Sequence, residues 1–378
     1  MSLKYPDSMT SIFRMSIERQ AYKMHGGDIY NVSKELNKDY KEVYDFSANI
    51  NPLGLSKAIK DSITENVEKL IHYPDRYAHK LKELVAKKYH IAKDNIAVGN
   101  GAEELMYRLI HTYRKGLRAL IPIPTFMAYE ESLSYNKENI IENYNIDLDK
   151  GIDKDILDCI HKELDLMYLC LPNNPIGSLI DENVLLEIIK KTSKLKVRLV
   201  IDISFMDFVE QNKKIDVYSY AKQFENIILI NSFTKVYAIP GLRLGILYTE
   251  DKELLKELAL VAPTWVANTL ALLAGEAALE HEKDYESLPD YVSKERAYLS
   301  RELQGLGFRV YKSYANYLLF YCDNIKDLYS KLLTKNIIIR KCETIKGLLE
   351  NHYRIAVRTH EENEYFIKSL KELVKEIK

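Results

Sequence analysis

The sequence predicts an α/β protein: a large domain with a mostly parallel sheet flanked by helices, followed by a small C-terminal α+β domain. Three observations carry this. Short, continuous apolar runs recur through the first two thirds of the chain, as expected of strands buried on both faces. Segments of helical period lie between several of them, and strand–helix alternation is the pattern of a parallel sheet. Towards the C-terminus the order changes to a mixture of strand-like and helical runs.

In chain order, residues 1–45 read as an N-terminal arm, 46–275 as the large domain and 276–378 as the small one. The arm carries HGGDIYNVSKEL, and DFSANINPLG follows, where Asn, Pro and Gly at 49–54 forbid regular structure. The expected strands are Asn95–Val98, Ala119–Ile123, Leu166–Leu171, Arg198–Ile203, Asn226–Ile230 and Leu244–Tyr248. Helical period marks Glu103–Tyr113 and Glu182–Thr192. From 253 to 310 the pattern is long and helical, with Leu254, Leu258, Leu270, Leu273 and Ala277 on recurring faces. Strands are expected at 314–322, 336–342 and 353–358, and helices at 325–334 and 361–377.

The chain of 378 residues has 54 Lys plus Arg against 55 Asp plus Glu. That balance gives no global attraction to nucleic acid or an anionic membrane, so any anion site must be built locally. Hydrophobic residues make up 47% and charged residues 29%, the composition of a soluble globular protein. No run reaches the ~18 apolar residues of a membrane helix, and the N-terminus has no apolar core for a signal peptide. The four cysteines, Cys159, Cys170, Cys322 and Cys342, form no C-x-x-C pair and join no histidine at zinc spacing. A reducing, cytoplasmic setting and no metal are expected.

The most informative stretch is NSFTKVYAIPGLRLG, 231–245, behind an expected buried strand. An amine nucleophile such as Lys235 must be held rigidly and partly desolvated to be neutral. Ser232, Thr234 and Arg243 supply two hydroxyls and a guanidinium, a suitable phosphate cup. The alternative is a strand end with a surface arginine. Asp202 ends the run RLVID, where a carboxylate points into the crevice at the strand's carboxyl end; the alternative is a helix cap. LPNNPIG, 171–177, offers the Asn173 and Asn174 amides, or is a simple turn. GNGAEEL, 99–105, is a glycine turn opening a helix whose first N–H groups favour an anion. Phe126 can stack on an aromatic ring or be a core aromatic.

In order and residue type this series resembles the fold-type I pyridoxal-phosphate enzymes of the aminotransferase superfamily, from about residue 25 to about residue 375. The resemblance implies pyridoxal 5′-phosphate as cofactor, carried as a Schiff base on Lys235. It implies that Asp202 pairs with the pyridine nitrogen, that Asn174 donates to the ring 3′-oxygen, and that Phe126 stacks on the ring. The amides of Ala102 and Glu103, with Ser232, Thr234 and Arg243, would hold the phosphate. Tyr73 of HYPD matches a tyrosine that reaches the partner subunit's phosphate, which implies a homodimer with shared sites. The resemblance also puts Trp265 and Asn268 near the site. Two departures stand out: Phe205 replaces the tyrosine that bonds the 3′-oxygen in many aminotransferases, and Ile203 replaces the usual glutamate.

Within the superfamily the chain resembles L-threonine-O-3-phosphate decarboxylases, which make aminopropanol phosphate for cobalamin assembly. The segments concerned are HGGDI, DFSANINPLG, KVYAIPGLRLG, ANYLLF, NIIIRKC and YRIAVRTHEENE. Histidinol-phosphate aminotransferase is the alternative, and a non-catalytic protein on the same fold the reading from another class. By this resemblance Arg354 lies near the substrate carboxylate and Arg340 near its phosphate, His25 and the Gly26-Gly27 backbone close over that phosphate, and Asn49 joins the substrate site; a capping or structural role is the alternative for His25. Planar guanidinium forks suit both anions. Arg358, an even number of positions from Arg354 and within the expected strand 353–358, falls on the same face and is a third candidate. The alternative for each arginine is a surface ion pair.

Overall fold

The computed structural model describes residues 26–113 and 116–376. His25 lies outside them. The strands are β1 (Tyr44–Asp45), β2 (Ile96–Gly99), β3 (Arg118–Ile123), β4 (Ile140–Asn145), β5 (Leu166–Cys170), β6 (Arg198–Asp202), β7 (Ile227–Ser232), β8 (Gly245–Thr249), β9 (Arg309–Val310), β10 (Tyr317–Tyr321), β11 (Ile337–Ile338), β12 (Arg340–Lys341) and β13 (His352–Ala356).

Seven of these form the main sheet in the order β2-β8-β7-β6-β5-β3-β4. β8 pairs antiparallel with β2 and β7, and the other pairs are parallel. The central strands read as unbroken apolar runs because both faces are covered. Along β5, Leu166, Tyr168 and Cys170 enter one core cluster while Met167 and Leu169 enter the other. β4 was not expected from the sequence. It is an edge strand with the sequence IIENYN, and its first residue, Ile140, is exposed, so neither alternation nor a continuous apolar run marks it.

The long helical pattern is three helices rather than one: Lys252–Leu260, Thr269–Glu280 and Leu288–Gly305. Pro263 interrupts the first gap, as a ring without an N–H must. Asn268 caps the second helix by accepting from the Ala271 N–H at 2.8 Å, and donates to the Leu242 carbonyl at 2.9 Å. The proposed division at 275/276 falls within Thr269–Glu280, which packs on the helices Lys57–Glu65 and His79–Tyr89.

A second, antiparallel sheet has the order β12-β13-β10-β9. β1 pairs in parallel with β11, and the Phe46 carbonyl accepts from the Ala356 N–H at 2.7 Å. The described part of the arm is therefore tied to the C-terminal sheet.

One glycine sets the spacing at the sheet's carboxyl edge. A Cβ on Gly245 would lie 2.5 Å from the Ala102 amide nitrogen, a backbone atom that cannot rotate away. Gly245→Ala is expected to cost about 1–3 kcal/mol through overpacking and to weaken anion binding at the helix N-terminus. Denaturant unfolding with cofactor titration measures both, and an alanine variant of unchanged stability would contradict the argument.

Candidate active site

The carboxyl ends of β5, β6 and β7 converge, as ligand sites in open parallel sheets do. Lys235 lies in the short helix Phe233–Val236 directly after β7. The NINP loop braces it from outside: the Asn51 N–H donates to the Lys235 carbonyl at 3.0 Å, and Asn51 Nδ2 donates to the Val236 carbonyl at 2.7 Å. Burial, then the Arg354 and Arg243 charges, push the Lys235 amine down to about 8; Asp202 and Glu103 oppose them. Lys235 is thus electrostatically coupled to four of the expected site residues, one of which (Glu103) is exposed.

Asp202 is the last residue of β6 and is buried. It caps no helix. Its Oδ1 accepts from the Ser204 N–H at 2.9 Å and the Ser204 hydroxyl at 2.5 Å, and its Oδ2 accepts from the Tyr129 hydroxyl at 2.7 Å. Burial raises its carboxyl above the ordinary range, against the pull of those bonds and of Lys235. Ser204 Oγ also accepts from the Ser232 N–H at 3.1 Å, linking β6 to the lysine loop. Ser232 and Thr234 hydroxyls meet at 2.7 Å. Arg243, at φ +60, lies over the glycine turn: a Cβ on Gly101 would come within 2.6 Å of its Nη2. Gly101 precedes the helix Ala102–His111, so the first N–H groups of that helix lie beside Arg243, and with the two hydroxyls they are the groups that would hold an anion.

Tyr129 and Ser204 were not anticipated. Tyr129 follows Phe126 by three positions on the start of a helix and sits edge-on to it, ring centroids 5.7 Å apart. Tyr129→Phe removes a hydrogen bond to a buried carboxylate, worth ~1.5–3 kcal/mol. Turnover is expected to fall about 10- to 100-fold, with the melting temperature lowered by about a few degrees. Turnover equal to wild type would show that Ser204 alone suffices.

Arg354 on β13 is buried; Nη1 donates to Asn174 Oδ1 at 2.6 Å and Nη2 to the Ser47 carbonyl at 2.8 Å. This leaves the Asn174 NH2 for other partners. The guanidinium also lies over the Tyr317 ring, 5.5 Å from its centroid. Phe205 packs edge-on against Tyr317, while the Tyr317 hydroxyl donates to the Asn173 carbonyl, so no phenol replaces the missing tyrosine there. Arg340 is directly opposite Arg354 across the strand pair. Its Nη1 is buried without a partner, and burial and Arg354 push it down to about 10. Neither arginine has a carboxylate partner among the described residues.

Arg358 is different. β13 ends at Ala356, and Arg358 donates to Glu362 Oε1 at 2.9 Å, a half-buried ion pair at a helix start, while its Nε is buried without a partner among the described residues. A Cβ on Gly26 would meet the Ser47 carbonyl at 2.3 Å and Arg354 Nη2 at 3.3 Å, which places Gly26 against the arginine. The Gly27 N–H donates to Ser47 Oγ at 2.8 Å. Asn49 is buried, and its Oδ1 lacks a partner. Tyr73 stands on the surface, 76% exposed, stacked on Trp265 at 4.1 Å.

The profile of the aminotransferase class I and II family matches residues 41–370. The chain belongs to this family. It is 32% identical over 354 residues to the threonine-phosphate decarboxylase of Salmonella typhimurium, covering 93% of this chain and 96% of that protein. It is 35% identical over 356 residues to the adenosylcobalamin biosynthesis bifunctional protein CobDQ of Leptospira interrogans; the match covers 91% of this chain but only 40% of that longer protein. The crystal structure of the histidinol-phosphate aminotransferase from Clostridium acetobutylicum superposes with a TM-score of 0.82 at 28% identity, covering 88% of this chain and all of that one.

The cofactor of this class I/II enzyme is pyridoxal 5′-phosphate. The residues present fit it. Lys235 would offer it a partly buried amine of depressed basicity, Asp202 a fixed carboxylate for a cationic N–H, Phe126 an aromatic face, and Ser232, Thr234 and Arg243 an anion site. Among the described residues no three His, Cys, Asp or Glu side chains cluster as a metal site, and no helix is long and apolar enough to cross a membrane.

Proposed function

We propose that the protein decarboxylates O-phospho-L-threonine to (R)-1-amino-2-propanol O-2-phosphate, the cobalamin-pathway reaction, with O-phospho-L-serine as a close second substrate. The observation that carries this is the pair Arg340 and Arg354: two buried guanidinium groups on directly opposed strand positions, neither in a salt bridge or hydrogen bond with a carboxylate among the described residues, and reached only at longer range by Glu343 and Asp45. Buried charges need partners. A substrate bearing both a carboxylate and a phosphate supplies two.

When bound, the cofactor supplies the electron sink. The chain decides which bond feeds it. Arg354, fixed by Asn174 and Ser47, receives the carboxylate, and Arg340 receives the phosphate. With these two anchors the chain would orient the substrate so that its Cα–carboxylate bond is the one that breaks: CO2 would leave and Cα would take one proton. Lys235 holds that proton. Arrangement rather than residue type separates this outcome from transamination.

A second copy of the chain completes the site in this reading. Tyr73, Trp265, Tyr77, Leu70 and Ile71 expose a neighbouring set of apolar side chains, which a subunit interface would cover. Sedimentation should give a dimer.

The deciding assay supplies O-phospho-L-threonine and measures CO2 and amine phosphate, beside histidinol phosphate with 2-oxoglutarate. CO2 release from the first supports the proposal. Turnover of only the second would replace it with the aminotransferase reading, which relatives of that name also support.

A further inference from the structure

We propose that Thr344 is a positioning residue for Arg340, turning its guanidinium so that one nitrogen faces the substrate phosphate. The inference rests on the phosphate site proposed above. Arg340 Nη2 donates to Thr344 Oγ1 at 3.3 Å, and among the described residues this is its one side-chain hydrogen bond. Nη1 is left buried and without a partner. The hydroxyl thus occupies one arm of the fork and leaves the other for the anion.

Thr344 is itself held from the opposite side. Its hydroxyl faces Met127 Sδ at 4.0 Å. Lys346 Nζ reaches Glu130 Oε1 at 3.3 Å, and Ile345 and Leu348 are buried as anchors. Gly347, at φ +91, lies so close to Pro124 that a Cβ would come within 3.1 Å of its nitrogen. The strap 343–348 therefore docks the C-terminal sheet's loop onto the residues flanking Phe126. Thr344 and Phe126 line one cavity. Through Thr344, the orientation of Arg340 is set by the large domain rather than by its own strand alone.

The test uses holoenzyme and calorimetric titration with O-phospho-L-threonine and with L-threonine. Thr344→Val keeps the side-chain shape and removes the hydroxyl. It should weaken O-phospho-L-threonine about tenfold, the loss of one hydrogen bond to a charged group, and leave L-threonine unchanged. Thr344→Ser should return affinity to within about twofold. Thr344→Ala serves as a second hydroxyl-free variant if the valine protein misfolds. Arg340→Met is the control for the phosphate site. If it loses the preference for the phosphorylated ligand while Thr344→Val matches wild type, the positioning role is overturned. Equal weakening of both ligands by Thr344→Val also overturns it, since that is the signature of a structural defect. If Arg340→Met keeps the preference, the phosphate-site reading itself fails.

Discussion

Lys235→Ala is expected to lose about 10⁴-fold in turnover, the upper end of what a positioned acid–base group contributes, and to bind pyridoxal 5′-phosphate without the visible band of the wild type. Identical spectra for the two proteins would sink the assignment of Lys235. The pH dependence follows from its basicity of about 8. At pH 7 roughly one amine in ten is neutral, against roughly one in three thousand for an ordinary lysine. Cofactor uptake should therefore rise about tenfold per unit of pH below 8 and level off above it.

The same shift is a stability statement. The folded chain disfavours the charged amine, so between about 8 and the ordinary lysine value of 10.5 the unfolded chain binds more protons. Stability from this group thus rises with pH across that window, and below it a constant deficit of about 3 kcal/mol remains. Lys235→Met should relieve that deficit: a protein without activity, yet more heat-stable than the wild-type apoprotein at pH 7. Calorimetry of the two apoproteins decides it, and a lower melting temperature for Lys235→Met would refute the cost of burying Lys235.

Much of this site was legible because its residues lie at strand ends. Lys235, Asp202 and Asn174 each follow an unbroken apolar run, and such runs betray buried parallel strands directly. The residues that support them were not legible. Tyr129 reaches Asp202 across 73 positions and Asn51 reaches Val236 across 185, contacts that no local pattern encodes. Arg358 lies beyond the end of β13, and Glu362, within the first turn of the next helix, accepts from it, so its spacing from Arg354 does not run along a continuous strand. β1 is two residues long and exists only because β11 pairs with it.

The arginine pair should respond asymmetrically to removal, because its members are held differently. Among the described residues the Arg340 guanidinium has one hydrogen bond, to Thr344, and sits beside another buried cation. Directly opposed like charges destabilise a strand pair, so Arg340→Met is expected to raise apoprotein stability. Arg354→Met is not, because it strands the Asn174 and Ser47 oxygens, each a buried acceptor costing about 1–3 kcal/mol when unpaired. Both variants should lose about 2–5 kcal/mol of transition-state binding for O-phospho-L-threonine, or roughly 30- to 4000-fold in kcat/KM, the cost of truncating one partner of a buried charge pair. Arg→Lys should rescue neither fully, since a point charge cannot reproduce a two-pronged contact. In holoenzyme, whose anion cup the cofactor fills, inorganic phosphate should raise the wild-type melting temperature and leave that of Arg340→Met nearly unmoved. If phosphate stabilised both alike, the two guanidiniums would not be an anion site, and their burial side by side would need another cause.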